Sequence, residues 1–383
     1  MSIELAIPAA RQRPLMRALA WLASWRELLV WAVASRIVVF VGALVVHLVR
    51  PHGYFPASTY RSLQNVLGAW DGRWYRMVAA QGYSLVPGHK SDVAFFPLYA
   101  FVLRGMHALG LGLVTSGIVV SNILFLVGLL AFAELTTMLF SKEDARRACI
   151  WVCVFPLGFV FSMAYPTSLV FAALALSMIF ALRGRWLTAA VLVAVASLAR
   201  PEGMFLALPL AALALSRRRE LSGSARGRAL AALVAGPLAV AGFLVYLAVA
   251  FDNIRAWSTA EAAWGRSFRL GGILDAFAQL PADIRGHPWL VRDLAFLVAY
   301  LLLLAVAVRL RIGAAWIAAA ALLVVLPLTS GTVESDGRFG MVGFAFYWAL
   351  ARAIRKPWLE RGLWVVSLGL LAWWTVALPL ANP

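Results

Sequence analysis

The chain has 383 residues, of which 63% are hydrophobic and 13% are charged, and its mean hydropathy is +0.85. Because a soluble protein carries roughly 25% charged residues, this composition excludes a soluble enzyme and indicates a polytopic membrane protein without a sizeable soluble domain. The net charge of +17 does not indicate a nucleic-acid partner, since the basic residues lie largely in short clusters between apolar runs, as expected of cytoplasmic loops.

Apolar runs long enough to cross a bilayer recur along the chain, which predicts a single all-α domain over residues 1–383, a bundle of about eleven transmembrane spans. The first run follows several arginines and is not followed by a small-residue cleavage site, so we interpret it as a retained helix and not as a signal peptide. The runs around 186–215 are short and could instead form re-entrant hairpins. The predicted spans are 27–49, 112–140, 148–165, 167–182, 186–199, 203–215, 229–251, 289–308, 312–328, 338–352 and 362–380.

The distribution of charge orients these spans. With the N-terminus inside, the dense basic clusters, such as the one at 217–219, fall on the inner side, while most acids and all five histidines fall on or near the outer face. The catalytic face is therefore expected outside. Two outer loops are predicted to be long, at 50–111 and 252–288, and the second contains the string AWSTAEAAWGRSFRLGG. The Ala- and Arg-rich, Lys-poor composition favours a GC-rich bacterial genome and hence the plasma membrane.

The first outer loop contains WDGRWYRMVAAQGY at residues 70–83. A carboxylate near apolar surface needs a partner, and Arg73 and Arg76 could neutralise Asp71 in a purely structural ion pair. Alternatively, Asp71 is a general base that takes the proton of an attacking hydroxyl group. Its aromatic neighbours would then form a rigid platform for a sugar ring: Trp70, Trp74 and Tyr75.

The same loop continues with GHKSDVAFFPLY, which places His89 and Lys90 close to Asp92. A basic pair at a membrane surface suits a phosphate group, although a lipid-headgroup contact without catalysis is the alternative. Because proline is favoured in the first turn of a helix, FFPLY predicts a helix start and a return into the bilayer.

Two further motifs carry charge close to apolar segments. SLARPEGMF places Arg200 and Glu202 at a helix-breaking turn, and ionisable groups at membrane depth are candidate functional residues by default. The alternative is an ion pair that only stabilises the turn. GTVESDGRFGMVGF supplies Arg338 as a second candidate phosphate ligand, with a solvated loop as the alternative.

Missing motifs narrow the function further. The sequence has no P-loop, no dinucleotide-binding fingerprint and no D-x-D motif, and its histidines lack metal-site spacing. We therefore expect no cofactor and assign no metal ligand, while leaving open a divalent ion near Asp71 and Asp92.

The chain resembles the PIG-V-like mannosyltransferases, which include GPI mannosyltransferase 2 of eukaryotes and bacterial relatives within the GT-C class. The resemblance spans roughly 25–355 and rests on five elements in order: WDGRWYRMVAAQGY, AFFPLY, AYPTSLVFAALAL, SLARPEG and GRFGMVGFAFYWAL. It implies a GT-C bundle and a polyprenyl-phosphate sugar donor, usually mannose, with its headgroup at the outer face. It also implies inversion at the anomeric carbon, lipid phosphate as the leaving group, and a catalytic acid at the position of Asp71.

One element departs from the family pattern. Where relatives often have Y-S-E-S, this chain has Tyr165-Pro166-Thr167-Ser168, so the glutamate is absent and Glu202 could substitute for it. The acceptor is expected to be a glycan, a lipid or a protein hydroxyl. A lipid or solute transporter is the main alternative, but it should place ionisable groups near mid-bilayer between repeats, and no repeat is visible in the sequence.

Overall fold

The computed structural model describes residues 21–50 and 56–380, and within these residues the only regular secondary structure is helical, which confirms the all-α prediction. The α-helices are α1 Arg26–Val49, α2 Leu63–Leu67, α3 Asp71–Gln81, α4 Pro97–Ala108, α5 Leu113–Leu139, α6 Lys142–Val154, α7 Thr167–Leu182, α8 Trp186–Ala199, α9 Ala207–Ser216, α10 Gly223–Ala250, α11 Ala256–Ala263, α12 Gly272–Ala278, α13 Leu280–Gly286, α14 Leu290–Arg309, α15 Ala314–Val325, α16 Asp336–Phe339, α17 Phe344–Ala353 and α18 Pro357–Val376. Short 3-10 helices lie at Ala57–Arg61, Asp92–Ala94, Gly158–Phe161, Pro201–Leu206, Pro327–Ser330, Gly340–Val342 and Leu378–Leu380.

Four of the described helices are long and apolar enough to cross a membrane, namely α1, α5, α10 and α14, with 24, 27, 28 and 20 residues. Helices α7 and α8 and the segments Pro201–Ser216 and Ala314–Ser330 are also apolar but shorter. The chain is thus a multi-pass membrane protein, while the predicted number of eleven spans stays a prediction.

Two of the predicted spans are interrupted in the structure. Helix α6 ends at Val154, before Pro156, whose ring and missing N–H prevent a helix from continuing, and a 3-10 turn follows. The predicted span 338–352 is divided by Gly340 and Gly343 into α16, a 3-10 turn and α17. Hydropathy alone did not show these breaks, since both segments contain apolar runs long enough to be predicted as spans.

The core is one large apolar cluster with two smaller clusters beside it. Helix α7 lies between α5 and α8, and α8 also packs along α10. At Gly128 of α5, a Cβ atom would lie 2.9 Å from the ring of Phe171 and 3.1 Å from Cα of Ala172, so the missing side chain permits close packing of α5 on α7. This packing gives a rigid wall behind the outer loops.

The segment 50–111, which the sequence predicts as the first outer loop, is largely helical over its described residues. It contains α2, α3 and α4, and α3 packs against α4 and α5. Helix α4 begins at Pro97, as FFPLY predicted. The N-terminus of α3 therefore has a fixed position on the bundle.

The turn after α8 is also tightly packed. Helix α8 ends at Ala199, and the 3-10 helix Pro201–Leu206 folds back on it before α9 begins. A Cβ atom on Gly203 would lie 2.5 Å from the backbone of Ala196 and Ser197, so only glycine fits at this position without movement. The turn therefore holds Arg200 and Glu202 in place.

Candidate active site

Asp71 is the first residue of α3 and follows a strained backbone position. Trp70 has φ +51° and ψ −124°, a conformation that costs a bulky residue about 1–3 kcal/mol and that is common at functional sites. The backbone N–H of Asp71 donates a hydrogen bond of 3.3 Å to the hydroxyl of Tyr165. The start of α3 is thus anchored to the turn before α7.

The charge partner of Asp71 is Arg338 of α16, which lies 267 residues further along the chain. The local ion pair considered from the sequence does not form. Arg73 is exposed, and Arg76 donates hydrogen bonds of 3.0 Å to the backbone carbonyls of Gly68 and Gly72. Long-range packing therefore sets the electrostatic environment of Asp71.

Arg338 is held between aromatic rings. Its guanidinium carbon lies 5.9 Å from the ring centroid of Tyr165 and 5.4 Å from that of Phe339. The side chain of Arg338 is 8% exposed and that of Asp71 is 20% exposed, so the carboxylate is the more accessible member of the pair.

Asp71 and Arg338 line a cavity of about 400 Å³. Four cationic and four acidic side chains line it, so the cavity holds both signs of charge: Lys90, Arg200, Arg266 and Arg338, with Asp71, Glu202, Glu261 and Glu334. An apolar wall completes it, formed mainly by Met204, Phe205, Val240, Leu244 and Leu326. Such a cavity can bind a molecule that carries an anion, polar hydroxyl groups and an apolar chain.

Six of the ten residues selected from the sequence line this cavity: Asp71, Tyr75, Lys90, Arg200, Glu202 and Arg338. The other four lie elsewhere. Asp92 is buried, and its carboxylate accepts hydrogen bonds from Ser84 N at 2.7 Å and Ser84 Oγ at 3.3 Å. Burial raises the pKa of Asp92, while the hydrogen bonds from Ser84 oppose that rise. Asp92 therefore closes the loop from residue 84 to residue 92.

The predicted aromatic platform has a different arrangement from the one expected. Of the three rings, only that of Tyr75 lines the cavity. Trp74 stacks on the lining residue Phe95, with ring centroids 5.9 Å apart, and Trp70 packs against the main core. His89 is exposed and is not among the lining residues.

Arg200 and Glu202 form the ion pair that the structural alternative described, with Arg200 Nη2 2.7 Å from Glu202 Oε1. Both side chains also line the cavity, at 11% and 13% exposure. The guanidinium of Arg200 lies 5.0 Å from the ring centroid of Phe339, next to Arg338. The pair is thus both a structural contact and part of the site.

The segment 252–288, predicted as the second outer loop, contributes residues that were not among the candidates predicted from the sequence. Helix α11 and the residues after it contribute five lining side chains: Trp257, Glu261, Trp264, Arg266 and Phe268. The signal was present in AWSTAEAAWGRSF, since Trp257 and Glu261 are four apart and lie on one face of a helix. Distance along the chain concealed it, because Glu261 is 190 positions after Asp71.

Glu261 has the most unusual environment in this loop. It is 6% exposed, and burial raises its pKa to about 7, with further rises from the charges of Asp71 and Glu202 and an opposing effect of Arg266. A carboxyl group that titrates near neutral pH in a cavity is a candidate functional group.

The two predicted outer loops contact each other directly. The ammonium group of Lys90 lies 4.6 Å from the ring centroid of Trp264, and Trp264 Nε1 donates a hydrogen bond of 3.4 Å to the carbonyl of Ser91. The backbone N–H of Arg269 donates a hydrogen bond of 2.9 Å to the carbonyl of Thr329. The second predicted outer loop therefore borders the cavity from α11 to the 3-10 helix Pro327–Ser330, which follows α15.

Within residues 21–50 and 56–380, no three or more His, Cys, Asp or Glu side chains form a group able to hold a metal ion. Asp92 does not line the cavity that contains Asp71, and its oxygens accept hydrogen bonds from Ser84. Metal-independent chemistry nevertheless stays a prediction.

Comparison with known proteins gives a family and several solved structures. A family model described as mannosyltransferase (PIG-V) matches residues 44–257. No curated protein matches the sequence significantly. The structure is similar to the crystal structure of the Archaeoglobus fulgidus oligosaccharyltransferase in complex with zinc and sulfate, at 13% identity and a TM-score of 0.42, over 90% of this chain and 53% of that one. The chain thus spans about half the length of that protein, and at this score the likeness carries no argument.

Proposed function

Because the chain belongs to the PIG-V mannosyltransferase family, whose model matches more than half of it, we propose that it transfers mannose from a polyprenyl-phosphate donor to an acceptor hydroxyl at the outer face of the plasma membrane. Family membership itself makes the protein a membrane glycosyltransferase. The observation that carries the finer proposal is the position of Asp71, accessible and paired with Arg338, in a cavity with cationic and apolar walls.

Asp71 is the proposed general base. The acceptor oxygen forms a bond to the anomeric carbon of mannose, the bond from that carbon to the phosphate oxygen breaks, and the acceptor proton passes to Asp71. The lipid phosphate leaves with the bonding electrons, and the configuration at the anomeric carbon inverts. A rigid carboxylate within hydrogen-bond reach is what this step needs, and the anchored start of α3 supplies it.

Arg338 and Arg200 are the proposed ligands of the leaving phosphate, with Lys90 beside them in the same cavity. The Nε group of Arg338 is buried and has no hydrogen-bond acceptor among the described residues, so it retains a donor for a phosphate oxygen. Charge-assisted hydrogen bonds of this kind stabilise the negative charge that develops on the leaving group. No metal ion is needed in this scheme.

The apolar wall suits the first isoprene units of the donor. Met204 and Phe205 follow the Arg200–Glu202 turn, while Val240 and Leu244 belong to α10. An isoprenoid chain on this wall would leave its phosphate next to the arginines, which agrees with a lipid-linked donor.

The length of α10 supports the outer location. Its 28 residues extend about 42 Å at 1.5 Å per residue, which exceeds a hydrocarbon core of about 30 Å. The basic cluster 217–219 precedes its first turn, whereas Val240 and Leu244 line the cavity near its other end. Since basic clusters remain in the cytoplasm, the cavity belongs to the outer half of the membrane.

The test is transfer of radiolabelled mannose from polyprenyl-phosphate-mannose to octyl α-mannopyranoside by membranes containing the wild-type chain, Asp71→Asn or Asp252→Asn at matched abundance. Asp252 is an exposed acid outside the cavity at φ +47°, a backbone conformation that asparagine also adopts, so it is the matched control. Loss of a general base is expected to lower the rate about 100-fold or more in Asp71→Asn only. Equal rates in all three proteins would contradict the role of Asp71.

A further inference from the structure

The face of α11 that borders the cavity has buried polar atoms without a hydrogen-bond partner among the described residues. Trp257 and Glu261 are one turn apart and both line the cavity. Glu261 is 94% buried, and its Oε2 atom accepts no hydrogen bond. The nearest cation is Arg266, whose Nη1 atom lies 3.9 Å from that oxygen, which is beyond hydrogen-bond distance.

A second carboxylate that lines the cavity has the same feature. Glu202 uses its Oε1 atom in the ion pair with Arg200, and its Oε2 atom is buried without a hydrogen bond. Two carboxylates on different segments therefore each retain an unused oxygen in one cavity. A buried polar atom without a partner is energetically costly, so a ligand that donates hydrogen bonds to both would be strongly favoured.

The surroundings indicate the kind of ligand. Carboxylates repel phosphate, which places a phosphate group closer to the arginines than to Glu261. Trp257 stacks on Phe268 with centroids 5.4 Å apart, and this aromatic pair lies at the same wall. A pyranose has both properties that this wall requires. Its hydroxyl groups donate hydrogen bonds to carboxylates, and the C–H face of its ring packs on aromatic side chains.

We infer that Glu261, together with Glu202, binds hydroxyl groups of a pyranose ring and is a specificity-determining residue on the second outer loop. This inference rests on the proposed function and adds a residue to it. The ring is either the mannose of the donor or a sugar of the acceptor, because both present the same hydroxyl chemistry. Glu261 does not take part in bond making in either case.

The experiment compares wild type, Glu261→Gln and Glu220→Gln, purified in lipid nanodiscs. Glu220 is exposed and lies outside the cavity, so it is the matched control. Polyprenyl-phosphate-mannose and octyl α-mannopyranoside are varied separately. Loss of a hydrogen bond to a charged group is expected to raise one KM about tenfold or more in Glu261→Gln, with little change in the other KM. The KM that rises identifies the sugar that Glu261 binds.

Sugar-free polyprenyl phosphate, used as an inhibitor, separates a sugar contact from a general loss of the cavity. Its inhibition constant is expected to be the same in wild type and Glu261→Gln. The inference is overturned if neither KM changes, or if both KM values and the inhibition constant rise together.

Single-hydroxyl deletion gives a second readout. For the substrate whose KM rises, monodeoxy analogues are tested with wild type and Glu261→Gln. Removal of the bound hydroxyl should raise KM about tenfold in wild type and cause no further rise in the variant. Independent, additive effects at every hydroxyl would contradict the contact.

The failure of the proposed function can be distinguished from the failure of this inference. If wild type itself transfers no mannose and hydrolyses no donor, the proposed function fails and this inference with it. Normal transfer by Glu261→Gln removes the inference alone.

Discussion

Three residues that are far from one another in the sequence, at positions 70, 165 and 338, determine the position and charge environment of Asp71. Trp70 turns the backbone into α3, Tyr165 accepts a hydrogen bond from the Asp71 N–H group, and Arg338 pairs with the carboxylate. The Y-P-T-S element departs from the family pattern at Pro166 and Thr167, but its tyrosine contacts Asp71 directly. The contribution of this element to the site therefore comes from Tyr165.

Glu261 gives a pH dependence with a definite sign. The charged groups that face it are Arg266, Asp71, Glu202 and Arg338, and burial together with the two acids raises its pKa to about 7. The carboxylate form, which accepts hydrogen bonds from hydroxyl groups, is therefore present above pH 7 and is lost as the pH falls. The KM of the sugar that it binds should rise as the pH falls from about 8 to about 6.

Glu261→Gln cannot titrate at this position, so its KM should not show this step. The measurement is KM for donor and acceptor at several pH values between 6 and 8, with Glu220→Gln as the control. A step that persists unchanged in Glu261→Gln would assign the titration to another group.

Among the elements, the 3-10 helix Pro201–Leu206 is tightly packed and therefore sensitive to added volume. It holds the Arg200–Glu202 pair because Gly203 lies against the backbone of Ala196 and Ser197. The added methyl group of Gly203→Ala would meet backbone atoms, which cannot move aside as a flexible side chain would. Displacement of the turn should lower the thermal unfolding temperature and reduce mannose transfer about tenfold or more.

Gly242→Ala is the matched control, because Gly242 lies within α10 and has no other group within 4 Å of the added Cβ atom. Alanine is the better helix former by about 1 kcal/mol, so this variant should be as stable as wild type or more stable. Thermal unfolding in detergent and transfer assays compare the two substitutions. Wild-type stability and activity in Gly203→Ala would show that the turn tolerates a side chain.

At the scale of the whole molecule, α10 separates the basic cluster 217–219 from the second outer loop. Single cysteines introduced by Ser224→Cys, near the start of α10, and Ser258→Cys, in α11, test this topology, since both serines are exposed. The native Cys149 and Cys153 are buried and should not react. A membrane-impermeant maleimide should label Ser258→Cys in intact cells and Ser224→Cys only after lysis. The reverse pattern would place the cavity on the cytoplasmic side.

The sequence predicts the class of the protein and several of the residues that line the cavity. Composition and apolar runs are local properties, so they indicated a helical membrane protein, and WDGRWY and ARPEG identified Asp71, Arg200 and Glu202 as candidates that line one cavity. Helix α4 begins at Pro97 for an equally local reason, the fixed φ of proline.

Which charged groups meet depends on how the helices pack against each other. Asp71 pairs with Arg338 and not with the nearby Arg73 or Arg76, and Glu261 joins the cavity from the second loop. The physical reason is that ion pairs and cavities depend on how helices pack across hundreds of residues, whereas hydropathy and turn chemistry report only a few neighbouring residues.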